Sequence, residues 1–177
     1  MLKKSVEGKQ VFLTGFMGTG KTVVGELLAR SLKRDFLDTD NLVEKKTGLS
    51  VPEIFKSLGE EYFRNRESEV LENLREYKPG SLVVSTGGGI VLRERNRKIM
   101  QEIGIIILLT ASPDEILRRT GGSEDRPLLA GNDPDQKVTS LLQEREEHYR
   151  HCEVRVDTTG MAPIQVARKI MGYLRAR

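Results

Sequence analysis

A chain of 177 residues is long enough for one α/β domain with a proper core and too short for two ordinary ones, so a single domain over 1–177 is expected. With 31% charged and 37% hydrophobic residues, the composition suits a globular protein in water and excludes a disordered or membrane chain. Lys plus Arg number 29 against 26 for Asp plus Glu, and the signs alternate in stretches such as Glu44-Lys45-Lys46, which argues against a nucleic-acid partner.

The opening MLKKSVEGKQVFLTG reaches a glycine too soon after its apolar triplet for a signal-peptide core. The longest apolar run, Ile105 to Leu109, is far short of a membrane span. Cys152 is the only cysteine, so no internal disulfide forms, and a cytoplasmic setting is expected. His148 and His151 are the only histidines, too few for a usual zinc site.

Short apolar runs alternate with helical periodicity along the chain, the pattern of a parallel sheet flanked by helices. Strands are predicted near Val11–Thr14, Phe36–Asp38, Leu82–Ser85, Ile105–Thr110 and Glu153–Val156, giving an α/β fold with a five-stranded parallel sheet. Val23, Val24, Leu27, Leu28 and Leu32 recur at helical spacing after the first strand. A long charged helix is predicted from about Glu60 to Tyr77. Ser112-Pro113-Asp114-Glu115 opens another helix, with serine as cap and proline in the first turn. The stretch 39–77 holds more helix than one crossover needs and is read as a helical excursion beside the sheet. The stretch 120–133, TGGSEDRPLLAGND, is read as a mobile lid with glycine hinges.

Between the first strand and the first long helix stands Gly15-Phe16-Met17-Gly18-Thr19-Gly20-Lys21-Thr22, a P-loop pattern in its proper strand-to-helix context. Glycines let backbone N–H groups turn inward around phosphate oxygens, Lys21 brings a mobile positive charge to the β- and γ-phosphates, and the Thr22 hydroxyl suits Mg²⁺. ATP and Mg²⁺ are therefore the expected donor and metal. No GxGxxG spacing or NKxD motif occurs, which disfavours a dinucleotide enzyme and a guanine-reading switch.

In an open α/β sheet, ligands gather at the carboxyl ends of the strands. After Phe36-Leu37 comes Asp38-Thr39-Asp40, where the first carboxylate suits a metal and the second an acceptor hydroxyl; an aspartate before Asn41 would also cap a helix. After Leu82-Val83-Val84 come Thr86-Gly87-Gly88-Gly89, whose glycines would admit a ligand close to the backbone. Arg64 and Arg145 suit a carboxylate, and Arg126 suits the transferring phosphoryl group; each could instead be a surface salt-bridge former.

Taken together, GFMGTGKT at 15–22, DTD at 38–40, Phe63-Arg64 with Glu67, TGGG at 86–89, RRTGG at 118–122, RPLL at 126–129 and Arg145 before Tyr149-Arg150 make the chain resemble the shikimate kinases, within the nucleoside-monophosphate-kinase-like P-loop group. The resemblance implies transfer of the γ-phosphoryl of ATP to the 3-hydroxyl of shikimate. It implies that Asp40, Arg64 and Arg145 hold shikimate with the backbone of Gly87, Gly88 and Gly89, and that Thr22 and Asp38 serve Mg²⁺. Gly18, Thr19, Gly20, Lys21, Thr22 and Val23 would cradle ATP, Arg119 and Pro163 would flank the adenine, and Arg126 would reach the phosphates. Lys21, Asp40 and Arg126 are then the expected catalytic residues. Phe55 and Phe63 would pack against the ring of the acceptor or serve simply as core. Val23 stands where many relatives carry threonine or serine, and Met161 where some carry a basic residue. The expected partner is a small molecule, with no nucleic acid or membrane, acting on a monomer; a gluconate kinase is the alternative reading.

Overall fold

The computed structural model describes residues 4–120 and 134–176. Its strands are β1 (Gln10–Thr14), β2 (Asp35–Asp38), β3 (Leu82–Ser85), β4 (Gly104–Thr110) and β5 (Val154–Asp157). They form one sheet in the order β2-β3-β1-β4-β5, and every pairing is parallel. The fifth strand lies one residue later than the sequence predicted. Its two valines, Val154 and Val156, alternate inward, and the ladder opens with Ile107 opposite Val154.

Period-two alternation splits β1, β3 and β4 between two cores. Val11, Leu13, Val83, Ile105, Ile107 and Leu109 face one side; Phe12, Leu82, Val84, Ile106 and Leu108 face the other. The first layer is covered by α2 (Lys21–Leu32) and α9 (Pro163–Ala176), through Val24, Leu28, Val166 and Ile170. Because β1 and β4 are covered on both faces, they read as unbroken apolar runs. The buried Gln10 side chain joins two segments, donating to Lys78 O at 3.0 Å and accepting from Leu82 N at 2.8 Å.

A four-residue helix, α1 (Lys4–Glu7), precedes β1. The excursion consists of α3 (Thr39–Thr47), α4 (Val51–Ser57) and α5 (Gly59–Asn73), built around a satellite core of Val43, Ile54, Phe63 and Val70. Ser50 and Glu53 form a capping box at the start of α4. The long helix predicted to reach Tyr77 ends earlier. A 3₁₀ turn covers Leu74–Glu76 and Tyr77 is extended, two residues short of Pro79, which has no N–H to continue a helix.

Helix α6 (Glu94–Ile103) covers the second core face with Ile99 and Met100. Helix α7 (Pro113–Thr120) opens as predicted, the Ser112 hydroxyl accepting from Glu115 N at 3.3 Å. Helix α8 (Pro134–Glu146) continues into a 3₁₀ turn at Glu147–His151. Among the described residues no helix is long and apolar enough to cross a membrane.

Candidate active site

The loop Gly15–Gly20 runs from the end of β1 into α2. A Cβ on Gly15 would strike the backbone carbonyl of Leu109 on β4, so only glycine lets the loop leave β1 so close to its neighbour. The Thr19 hydroxyl donates to Phe16 O at 2.7 Å, and Lys21 Nζ donates to the same carbonyl at 2.9 Å. One carbonyl thus organises the curve of the loop and holds the lysine over it.

Asp38, the last residue of β2, divides its oxygens between two tasks. Oδ1 caps α3, accepting from Asp40 N at 3.0 Å, while Oδ2 accepts from the Thr22 hydroxyl at 3.1 Å. The capping aspartate is therefore Asp38, two residues before the position that the sequence suggested, because the helix already begins at Thr39. Thr39 accepts from Gly87 N at 2.9 Å, which fastens the glycine turn after β3 to the excursion.

That fastening crowds acid groups. A Cβ on Gly87 would lie 2.5 Å from Asp40 Oδ1 and 2.7 Å from Glu67 Oε1, and neither oxygen has a hydrogen-bond partner among the described residues. Burial first, then the charge of Asp38, pushes the Asp40 carboxyl up to about 6, against the pull of Lys21 and Arg64. Burial likewise pushes Glu67 up to about 7, although Arg64 donates to its Oε2 at 2.6 Å. Arg64 also contacts Glu60 at 2.9 Å and lies 5.3 Å from the Phe63 ring centre. Phe63 stacks obliquely on Phe55 at 5.1 Å, and both line the cleft while belonging to the satellite core.

On the opposite wall Arg145 donates to Gly88 O at 3.1 Å, and the buried Tyr149 hydroxyl reaches the same carbonyl at 3.4 Å. Arg119 is locked near the phosphate loop, donating to Gly18 O at 3.2 Å and Thr158 O at 2.8 Å and pairing with Glu115.

One cleft of about 1140 Å³ takes in Gly18, Thr19, Gly20, Lys21, Thr22, Val23, Asp38, Asp40, Arg64, Gly87, Gly88, Gly89, Arg119, Arg145 and Pro163. Arg126 and nearly all of the expected lid at 120–133 lie outside the described residues. Sequence reasoning gave no part to Thr158, whose hydroxyl accepts from Arg119 at 3.0 Å and donates to Thr110 O at 2.9 Å, because nothing near it marks a site. It gave Glu67 no role beyond its motif, although the spacing from Arg64 already allows a pair on one helix face.

A glycine cradle at the central strand of a parallel sheet, facing a basic and acidic pocket in the same cleft, defines a P-loop kinase acting on a small molecule. A family model described as shikimate kinase matches residues 17–175. A curated shikimate kinase from Caldanaerobacter subterraneus subsp. tengcongensis is 45% identical over 96% of this chain and 98% of its own length. Another from Geobacter sulfurreducens is 41% identical over 96% of this chain and 92% of its own. A solved shikimate kinase from Acinetobacter baumannii, in complex with shikimate, superposes with a TM-score of 0.91 at 38% identity, covering 98% of this chain and 97% of that one. The chain belongs to the shikimate kinase family and is, with it, an ATP-dependent kinase.

Proposed function

We propose that the chain transfers the γ-phosphoryl group of ATP to the 3-hydroxyl of shikimate, giving ADP and shikimate 3-phosphate. The observation that carries this reading is that Asp40, Arg64 and Arg145, from three separate helices, line one cleft with the phosphate loop. Two guanidinium groups answer a carboxylate, and a buried acid answers hydroxyls, which matches a polyhydroxylated carboxylic acid better than a neutral sugar.

The donor lies on Gly18, Thr19, Gly20, Lys21, Thr22 and Val23, with Arg119 and Pro163 flanking the base. To reach the β- and γ-phosphates, Lys21 exchanges the Phe16 carbonyl for phosphate oxygen. The Thr22 hydroxyl and Asp38 Oδ2, 3.1 Å apart, are hard oxygen donors that fit Mg²⁺, which commonly takes one or two protein ligands beside phosphate and water. Bound there, the cation supplies charge neutralisation on the phosphate oxygens.

Arg64 and Arg145 hold the acceptor's carboxylate, with the backbone of Gly87, Gly88 and Gly89 against its ring. Asp40 orients the 3-hydroxyl and accepts its proton as oxygen bonds to the γ-phosphorus and the bond to the ADP oxygen breaks. Arg126 neutralises charge on the group in transit. The whole chain acts as one catalytic domain, monomeric and cytoplasmic, with 39–77 as the acceptor-facing excursion and 120–133 as the lid.

Coupled ADP-release assays with shikimate, gluconate and nucleoside monophosphates test the reading. Magnesium-dependent turnover with shikimate alone is expected. Turnover with gluconate in its place moves the chain to another acceptor, and no magnesium-dependent nucleotide binding removes the kinase reading altogether.

A further inference from the structure

Phe16 occupies an unusual position, because the donor and acceptor halves of the cleft meet on this one residue. Its carbonyl accepts from Lys21 Nζ at 2.9 Å. Its ring lies 5.1 Å from the guanidinium carbon of Arg145. Phe16 is 1% exposed and Arg145 4% exposed, so the stacking takes place away from water, where attraction between a cation and an aromatic face is strongest. The surrounding cluster explains the placement. Phe16 packs with the buried Ile116 of α7 and Val138 of α8, with Leu141 and Leu142 beside them. Residues 138, 141, 142 and 145 recur at helical spacing, so α8 presents three apolar residues and then Arg145 along a single face.

Arg145 has its charge near the acceptor pocket and no acid partner among its described contacts; Gly88 O, the Tyr149 hydroxyl and the Phe16 ring support it there. A carboxylate ligand competes with Gly88 O for the Arg145 N–H, whereas the attraction of the cation to the Phe16 ring needs none of the guanidinium's hydrogen bonds to oxygen and is compatible with ligand arrival.

We propose that Phe16 is a positioning residue for the acceptor, its ring holding the Arg145 guanidinium where it meets the substrate carboxylate. This rests on the reading of Arg145 as an acceptor-binding residue. The phosphate loop thereby contributes to acceptor affinity through a side chain, apart from its backbone work on the donor.

The test is calorimetric binding of shikimate, without nucleotide, to the wild-type chain, Phe16→Leu, Arg145→Met and the double variant, with MgADP titrated in parallel. Phe16→Leu is expected to weaken shikimate binding by roughly threefold to thirtyfold. Steady-state KM for shikimate should rise in step, while kcat and MgADP affinity stay within about twofold of wild type. In the Arg145→Met background the same change should cost nothing further. Phe16→Met, also ringless and near in volume, gives the reading if Phe16→Leu fails to fold. Unchanged shikimate affinity in a folded ringless variant, or an equal loss with and without Arg145, overturns the inference. An Arg145→Met chain that binds shikimate normally overturns the acceptor-site reading instead.

Discussion

A methyl group at residue 87 would fall between two carboxylate oxygens, 2.5 Å from one and 2.7 Å from the other. Gly87→Ala is therefore expected to displace Asp40 and Glu67 and to lower kcat/KM for shikimate by about 100-fold, the usual cost of an ångström-scale misplacement, while MgADP affinity holds. Undiminished kcat/KM would mean that the turn relaxes freely. The Glu67 carboxyl, raised by burial from an ordinary 4.5 to about 7, gives a pH prediction. The folded state binds this proton more tightly than the unfolded chain. Its contribution to stability is therefore complete below about pH 4.5 and disappears as pH rises through about 7. In denaturant titrations the wild type should lose on the order of 3 kcal/mol across that window on this account, and Glu67→Gln, which cannot ionise, should flatten the slope. An unchanged slope would assign the titration elsewhere. Lys21, Thr22, Asp38 and Asp40 were legible in the sequence because their spacing within short motifs is itself the geometry. Glu67 was not, since a carboxylate three residues from an arginine is ordinary on an exposed helix. The available signal was that Arg64 and Glu67 fall on the buried stripe of α5, with Phe63, Val70 and Leu71.

At the scale of elements, α2 ends on the only non-glycine residue with positive φ among those described, Lys33 at 55°. Arg34 N bonds Ala29 O at 2.9 Å and Lys33 N bonds Arg30 O at 3.3 Å, a closing turn that normally carries glycine. Lys33→Gly is expected to stabilise the chain by about 0.5–1 kcal/mol, read as a higher urea midpoint at constant m, whereas a lower midpoint would show that the lysine stem contributes more than its backbone strain costs. The five strands were legible because buried parallel strands are dense in β-branched residues, which the helices here carry mainly on one face. Boundaries were harder to read. The end of α5 passes through a 3₁₀ turn at Leu74–Glu76 that no local residue marks, and the break between α3 and α4 is set by the Ser50–Glu53 capping box, a local signal outweighed by the general helical character of the stretch.

For the whole molecule, one sheet with both faces covered predicts a single cooperative unfolding transition in calorimetry. A saturating ligand should raise it, by about 2.7 kcal/mol for ligand at 100 times its Kd. Two separable transitions would divide the excursion from the sheet. Alternating strand and helix told of a parallel sheet but not of strand order, because the same alternation fits several windings; that β1 lies in the middle emerges only from the pairings. This central place bears on how the protein is made. Val11 pairs with Val83 on one side and with Ile105 on the other, so the strand that leads into the phosphate cradle leaves the ribosome long before either neighbour exists. A nascent chain that has just extruded its glycine loop carries a naked apolar ribbon and nothing to grip ATP with, and nucleotide cannot assist its folding until synthesis has passed β4.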